Sequence, residues 1–212
     1  MSSSHAVTSL EALEVLYGTV NRNSLAKEAA RLTPAYRRWI EAAPFFAIAS
    51  GGPGGLDCSP RGDARGQLFR VLDDRTLAIP DRRGNNRLDT LKNILADPRV
   101  ALLFLNPGIN ETLRINGRAR ITTDPELIEG FAVGDKRPAT VVVVEIDAVY
   151  FQCARALARA KLWDPEARIR PGEVPTAGQM TTAGQMTKGA QPDFDAESYD
   201  AALPVRQKAT LY

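Results

Sequence analysis

The residues with the clearest capacity for chemistry lie in one basic turn near the middle of the chain. Asp89 is the only acidic residue between positions 82 and 92, whereas four residues there are cationic: Arg82, Arg83, Arg87 and Lys92. Gly84-Asn85-Asn86 separates a predicted strand from a predicted helix. Because a helix N-terminus presents unpaired N–H groups and arginine binds phosphate through two parallel hydrogen bonds, the turn favours a phosphate site. The alternative is a solvated turn with scattered surface charges.

Two further segments could contact a bound molecule. Ser59-Pro60-Arg61-Gly62-Asp63 lies among predicted strands, and its backbone N–H and C=O groups could hydrogen-bond the edge of a flat heterocycle. The alternative is an ordinary turn. The other segment, residues 106–117, runs from a loop into a strand with alternating polar residues, which cross-strand packing would also explain.

The composition excludes several function classes. The 212 residues carry 27 Lys and Arg against 25 Asp and Glu, a net charge of +2 that argues against a nucleic-acid partner. His5 is the single histidine, so we expect no His-rich metal site and no His-based triad. No apolar run is long enough to span a membrane, and the N-terminus lacks a signal-peptide pattern. Cys58 and Cys153 are therefore expected to be reduced in a cytoplasmic protein.

The periodicity predicts a mainly β fold with peripheral helices. Helices are predicted within the first 44 residues, with Thr33 as an N-cap before Pro34, and at 87–96, 125–131 and 154–162. Short runs rich in β-branched residues predict strands, and they lie at 46–50, 56–60, 67–72, 75–80, 100–105, 111–121 and 140–152. About six strands with one inserted helix favour a small closed antiparallel barrel.

Changes in composition divide the chain into three parts. We predict an N-terminal helical segment at 1–43, a barrel domain at 44–163 and a partly irregular C-terminal tail at 164–212. The tail contains a duplicated hexapeptide, Thr-Ala-Gly-Gln-Met-Thr, at 176–181 and 182–187. Two copies are too few for a solenoid, so we interpret them as a surface segment. Alternatively, the tail packs on a partner subunit through Met180 and Met186.

The order of four motifs resembles the pyridoxamine 5′-phosphate oxidase-like, FMN-binding split-barrel family, in a branch without oxidase activity. The motifs are Ser-Pro-Arg-Gly-Asp at 59–63, Pro-Asp-x-x-Gly-Asn-x-Arg at 80–87, Leu-Arg-x-x-Gly at 113–117, and a Cys…Arg-Ala…Leu-Trp segment at 153–163. The resemblance covers residues 44 to 165 and implies a six-stranded antiparallel split β-barrel with N-terminal helices.

The same resemblance implies an FMN held at a homodimer interface. Residues 59–63 would line the isoalloxazine edge, the turn after Pro80 would take the phosphate, and Thr112 falls where the oxidases have a flavin-contacting glutamine. Arg114 follows on the same strand face. The implied cofactor-binding residues are Ser59, Pro60, Arg61, Gly62, Asp63, Pro80, Asp81, Arg83, Asn85, Asn86, Arg87, Thr112 and Arg114.

Two motifs of the true oxidases are missing, namely Ser-Arg-Lys at the phosphate site and Arg-Leu-His-Asp-Arg near the C-terminus. The resemblance therefore implies an FMN-dependent oxidoreductase other than pyridoxamine 5′-phosphate oxidase. It would act on a small-molecule substrate, with NADH or NADPH as candidate electron donors.

The alternatives are a non-catalytic flavin carrier or sensor, and a reductase that uses F420. No catalytic residue is assigned. Cys153 and Trp163 flank Arg155, and the segment would form a cationic cap near the site. The alternative is a buried cysteine that acts as a small apolar residue, followed by an ordinary basic helix face.

Overall fold

Seven antiparallel strands form one sheet in the computed structural model, which describes residues 5–188 and 194–210. The strands are β1 (Phe45–Gly52), β2 (Gly55–Gly62), β3 (Arg70–Val71), β4 (Thr76–Pro80), β5 (Arg99–Leu105), β6 (Thr112–Thr122) and β7 (Val141–Gln152). The helices are α1 (Leu10–Tyr17), α2 (Arg22–Ala26), α3 (Pro34–Glu41), α4 (Asp89–Ala96), α5 (Pro125–Gly130), α6 (Arg155–Ala160), α7 (Ala177–Lys188) and α8 (Ala196–Ala209). The fold is mainly antiparallel β with peripheral helices, as the split-barrel class requires.

The strand order β2-β1-β5-β6-β7-β4-β3 leaves the sheet open. The sheet therefore has one strand more than the six-stranded split barrel that the resemblance implies, and it does not close into the predicted barrel. Each of the seven predicted strand segments contains a strand, but the segment at 67–72 forms only the two-residue β3. Leu68 and Phe69 lie outside it and instead pack in the core, where they are 4% and 7% exposed. Since β3 pairs only with Leu77 and Ala78, the end of β4 is left without a neighbour on that side.

Two local features shape the sheet. The β1–β2 hairpin closes through Pro53-Gly54, with Gly52 opposite Gly55, as the glycine-rich sequence favours. The register of β6 and β7 shifts at Asn116 and Gly117, which marks a β-bulge. A Cβ atom at Gly117 would overlap the backbone carbonyl oxygen of Glu145, so this close approach requires glycine.

Aromatic rings and valines fill the interior. The rings of Phe46 and Phe104 lie 4.9 Å apart, and Phe69 packs edge-on against Phe104 at 5.3 Å. The four valines at 141–144 are all buried, because alternate residues face the main core and a second cluster under Phe131. This explains a strand segment that is apolar without alternation.

The face of the sheet opposite the main core is only partly covered across β2, β1, β5 and β6. We call it the outer face; it carries Phe45, Ala47, Ala49, Leu56, Ala101, Leu103, Leu105, Thr112, Arg114, Asn116 and Tyr150. Phe45 is 36% exposed and Leu56 is 90% exposed, while Leu103 and Leu105 are half-buried. β1 and β5 are thus apolar on both faces, although only one face is buried within the chain.

Helices lie at both ends of the chain. Thr33 caps α3 by accepting a hydrogen bond from the Tyr36 N–H, as predicted. The duplicated hexapeptides lie in α7 except for Thr176, which precedes it. This helix packs against α8, where the Gly178 N–H donates a hydrogen bond to the Asp200 carboxylate. The predicted segments 1–43 and 164–212 each include residues outside the described ranges. Within those ranges, no helix is both long enough and apolar enough to cross a membrane.

Candidate functional site

A cavity of about 1250 Å³ lies where the sheet is open. One wall is the second half of β2 and the loop that follows it. The opposite wall is the unpaired end of β4, and the first turn of α4 and residues 139–140 complete the lining. The volume is sufficient for a cofactor-sized ligand, since ligand sites usually measure about 300–1,000 Å³.

The cavity brings together most of the residues that the sequence predicts to bind the cofactor. Eleven of the thirteen line it, and they are Ser59, Pro60, Arg61, Gly62, Asp63, Pro80, Asp81, Arg83, Asn85, Asn86 and Arg87. Thr112 and Arg114 are not in the lining. The cavity also includes residues that sequence reasoning did not assign to the site, among them Arg82, Thr90, Arg137 and Thr140.

Polar contacts fix α4 against β2. The Thr90 hydroxyl, on a residue 4% exposed, lies 3.2 Å from the Ser59 hydroxyl and donates to it. One turn later, Asn93 Nδ2 donates to Asp57 Oδ2 at 2.8 Å and to Ser50 Oγ at 3.2 Å. These contacts hold the N-terminal end of the helix at the cavity.

The turn before α4 has an unusual backbone. Asn86 and Leu88 have φ values of 59° and 60°, in the left-handed region that residues other than glycine rarely adopt. Leu88 precedes the helix and provides no side-chain cap. The first N–H groups of α4 therefore lack a capping side chain and contribute a partial positive charge at the cavity wall.

Arg82 has a structural role that the sequence did not indicate. Its Nε donates to Asp63 Oδ2 at 3.0 Å, and the two side chains are 18% and 3% exposed. Its Nη1 donates to the Phe131 carbonyl oxygen at 2.7 Å. The pair ties the turn after β4 to the loop after β2, so Arg82 and Asp63 shape the cavity through contacts with each other.

Arg83 and Arg87 differ in their surroundings. Arg87 donates to Asp89 Oδ2 at 2.8 Å, and its backbone N–H donates to Asn85 Oδ1 at 3.1 Å. No carboxylate in the described part of the chain lies within ion-pair distance of Arg83, although this side chain is exposed at the cavity. Arg137, on the far rim, is held by both oxygens of Glu129.

Asp81 and Thr140 are neighbours in the cavity wall and are joined through their backbones. The Asp81 N–H donates to the Thr140 carbonyl oxygen at 2.9 Å. Burial raises the pKa of the Asp81 carboxyl above its ordinary value, and the nearby Arg61 guanidinium offsets part of that rise. Thr140 Oγ1 is buried without a hydrogen-bond partner among the described residues. An orphaned hydroxyl in a cavity wall is a group that a bound ligand could satisfy.

Thr112 and Arg114 lie on the outer face of β6, away from the cavity. Thr112 is 4% exposed, and Arg114 Nη1 lies 3.2 Å from the Tyr150 hydroxyl. Arg114 and Tyr150 are cross-strand neighbours. Within one chain, these two predicted residues do not join the other eleven.

The late basic segment also lies away from the cavity. Cys153 and Arg155 are exposed and are not among the lining residues, so the alternative of a buried Cys153 is wrong. Trp163 Nε1 donates to the Ile109 carbonyl oxygen at 2.7 Å. Cys58 and Cys153 are both free thiols. Among the described residues, no group of three His, Cys, Asp or Glu side chains could hold a metal ion.

Comparison with protein families gives one match. Residues 32–153, more than half of the chain, match the family model described as pyridoxamine 5′-phosphate oxidase. This range contains the sheet, α4 and every residue of the cavity lining. A comparison with curated proteins finds no match.

Several solved structures are similar at low identity. HupZ from Group A Streptococcus is 16% identical, with 56% of this chain and 91% of that chain covered and a TM-score of 0.46. General Stress Protein 26 from Bacillus anthracis is 15% identical, with 54% and 88% covered and a TM-score of 0.42. An FAD binding protein from Mycobacterium smegmatis is 13% identical, with 58% and 97% covered and a TM-score of 0.40.

Proposed function

Because the chain belongs to the pyridoxamine 5′-phosphate oxidase family, we propose that it is an FMN-binding oxidoreductase with its flavin in the open part of the sheet. The observation that carries the proposal is the basic turn at the uncapped start of α4. This turn and residues 59–63 lie in one cavity despite their separation along the chain.

The turn is suited to the flavin phosphate. The uncapped N–H groups of α4 and the guanidinium groups of Arg83 and Arg87 are all donors, and phosphate offers only acceptors. Arg83 has no competing carboxylate in the described residues, so it is the strongest candidate for a direct phosphate contact. Asn85 Oδ1 accepts a hydrogen bond from the Arg87 N–H within the turn, and Asn86 adopts a left-handed backbone conformation there.

The β2 wall is suited to the ring system. Arg61 and Asp81 stand near each other in the cavity, and the free Thr140 hydroxyl is available to a polar group of the ligand. When bound, FMN would supply hydride and single-electron transfer, chemistry that none of these side chains provides. The residues of the chain would bind and orient the flavin and limit its exposure to water.

A homodimer would account for Arg114, which lies apart from the cavity. Arg114 is half-buried on the outer face, which is apolar and partly uncovered across β1 and β5, whereas the neighbouring Thr112 is buried within its own chain. If two copies pair through this face, each chain could present Arg114 to the flavin of the other. We therefore propose a dimer with two sites at its interface.

Flavin binding can be tested directly. We expect the purified protein to show the visible absorbance of oxidised flavin, or to acquire it on titration with FMN in a saturable manner. The absence of both would contradict the proposal. A titration with F420 in competition with FMN tests the alternative cofactor.

Turnover is a separate question from binding. We expect the FMN-loaded protein to oxidise NADH or NADPH, and to lack pyridoxamine 5′-phosphate oxidase activity because both motifs of the true oxidases are missing. An FMN-loaded protein that neither nicotinamide cofactor reduces would favour the carrier or sensor instead.

A further inference from the structure

Helix α1 has an apolar stripe that no part of the described chain covers. The stripe consists of Leu10, Leu13, Leu16 and Tyr17, which a period of 3.6 residues places within one arc of the helix. These side chains are 74%, 43%, 65% and 82% exposed. Glu14 lies beside the stripe, whereas Glu11 and Val15 lie on the opposite side of the helix. The pattern is that of a helix that packs on another surface.

The length of α1 also indicates that it packs on another surface. It has eight residues, and none of them is buried. Isolated helices shorter than about 12–15 residues are marginal in water. Ser9 caps the N-terminus and the Gly18 N–H bonds to the Glu14 carbonyl oxygen, but caps contribute only about 1 kcal/mol each. A stable α1 therefore requires a surface that contacts its stripe.

The outer face of a second copy is the surface that fits. Residues 27–29 attach the N-terminal segment to β7, where Ala29 and Val149 exchange backbone hydrogen bonds and Lys27 lies 4.8 Å from the Phe151 ring centre. Tyr150, between these two contacts, belongs to the outer face. The segment thus leaves the body at the rim of the uncovered apolar surface, where a paired copy would begin.

Charge supports the same partner. Residues 6–21 contain Glu11 and Glu14 and no basic residue. The outward side of β6 is basic, with Arg118 and Arg120 exposed beyond Arg114. A helix that binds anionic lipid would instead carry Lys or Arg on its polar face.

We propose that α1 packs its apolar stripe on the rim of the outer face of a second copy of this chain, beside the area through which the two outer faces pair and reciprocally across the dimer axis. This arm exchange goes beyond the proposed function, with which it shares only the homodimer. It gives each chain a second contact region and covers two apolar surfaces at once.

The dimerisation test uses the full chain with a matched control. Leu13→Glu combined with Leu16→Glu places charge in the stripe, whereas Val15→Glu places charge on the opposite side of the same helix. By sedimentation velocity over a concentration series, we expect the double variant to raise the dimer dissociation constant at least tenfold and Val15→Glu to leave it near that of the wild type. Equal behaviour of the two variants, or a wild type that stays monomeric, would overturn the proposal.

Hydrogen exchange separates this proposal from the proposed function. We expect the amides of residues 12–17 to be protected at dimer concentrations and to exchange rapidly on dilution to the monomer. A dimer in which these amides exchange freely, protection that persists in the monomer, or a monomer that binds phosphatidylcholine vesicles through α1 would each overturn it. The test does not require flavin, so a protected arm in a protein that never binds FMN would contradict only the proposed function.

Discussion

At the scale of single residues, Arg83 and Arg87 are similar side chains whose roles differ because their neighbours differ. Both are exposed at the cavity, but Arg87 already donates to Asp89, whereas Arg83 has no carboxylate partner in the described chain. A bound phosphate would gain more from Arg83, because Arg87 would have to share its charge. The sequence places both residues in the same turn and cannot distinguish them.

Arg83→Ala should weaken FMN binding about 10- to 100-fold, because a hydrogen bond to a charged group contributes about 1.5–3 kcal/mol. Riboflavin lacks the phosphate, so its affinity should not change. Flavin fluorescence titrations with both ligands measure the difference. Arg65→Ala is the matched control, since Arg65 is exposed on the nearby loop but does not line the cavity. Equal losses for FMN and riboflavin would contradict the phosphate assignment.

Asp81→Asn should stabilise the protein without ligand at neutral pH. Burial raises the pKa of the Asp81 carboxyl in the folded state, so the folded protein loses stability as the pH rises through that range. The destabilisation by the buried, ionised Asp81 carboxylate is fully present at pH 7. It is absent well below pH about 4, where the carboxyl is protonated in both the folded and the unfolded protein. Urea denaturation across this range should show a gain that shrinks in acid. A gain that is constant with pH would contradict the assignment.

Arg82→Met should destabilise the protein by about 3 kcal/mol, because it removes the guanidinium that neutralises the buried Asp63 carboxylate. Arg31→Met is the control: its ion pair with Asp74 is exposed, with side chains 65% and 51% accessible, and exposed pairs contribute less than about 1 kcal/mol. Thermal or urea denaturation compares the two variants. Similar losses would contradict the structural role of Arg82.

At the scale of elements, the start of α4 shows what sequence reasoning captures and what it misses. Its apolar periodicity predicts a helix from 87, and the structure has a helix from Asp89. The two-residue difference arises because Asn86 and Leu88 adopt left-handed backbone conformations that no propensity favours for leucine. Local backbone strain at a ligand-binding turn is a common cause of such disagreements.

The short β3 has a different cause. The segment at 67–72 has strand-like composition, but Leu68 and Phe69 contribute to the core from outside the ladder. Tertiary packing overrides β-propensity here. The consequence is functional, since a longer β3 would cover the end of β4 that lines the cavity.

Gly117→Ala should destabilise the sheet by about 3 kcal/mol, because the added Cβ would overlap the Glu145 carbonyl oxygen in a tightly paired bulge. Gly54→Ala, at a turn position with no atom within 4 Å of the added Cβ, should change stability little. Urea denaturation checks both variants. A Gly117→Ala protein as stable as the wild type would contradict the bulge geometry.

The six-residue repeat of the duplicated hexapeptide does not match the 3.6-residue period of an α-helix. A spacing of six residues rotates equivalent positions by about 240° on a helix of 3.6 residues per turn. Met180 and Met186 therefore lie on different sides of α7, and they are 59% and 75% exposed. A common contact of both methionines with one flat partner surface is thus disfavoured.

At the scale of the whole molecule, the sequence predicted the strands, the mainly β class and the segments that form the cavity walls. It could not show that Asp63 binds Arg82, that Thr90 contacts Ser59, or that Thr140 has an orphaned hydroxyl. Each of these depends on two segments meeting through the open sheet. The same limit applies to Thr112 and Arg114, whose strand was predicted but whose position on the outer face depends on the assembled sheet.

A crystal structure of the protein saturated with FMN tests the central claim most directly. The account predicts one FMN per chain, with its phosphate bonded to Arg83 and the first N–H groups of α4 and its ring along residues 59–63. Arg114 of a second copy should face the same ring. A flavin phosphate bound elsewhere, or no bound flavin at concentrations that saturate other FMN proteins, would contradict the account.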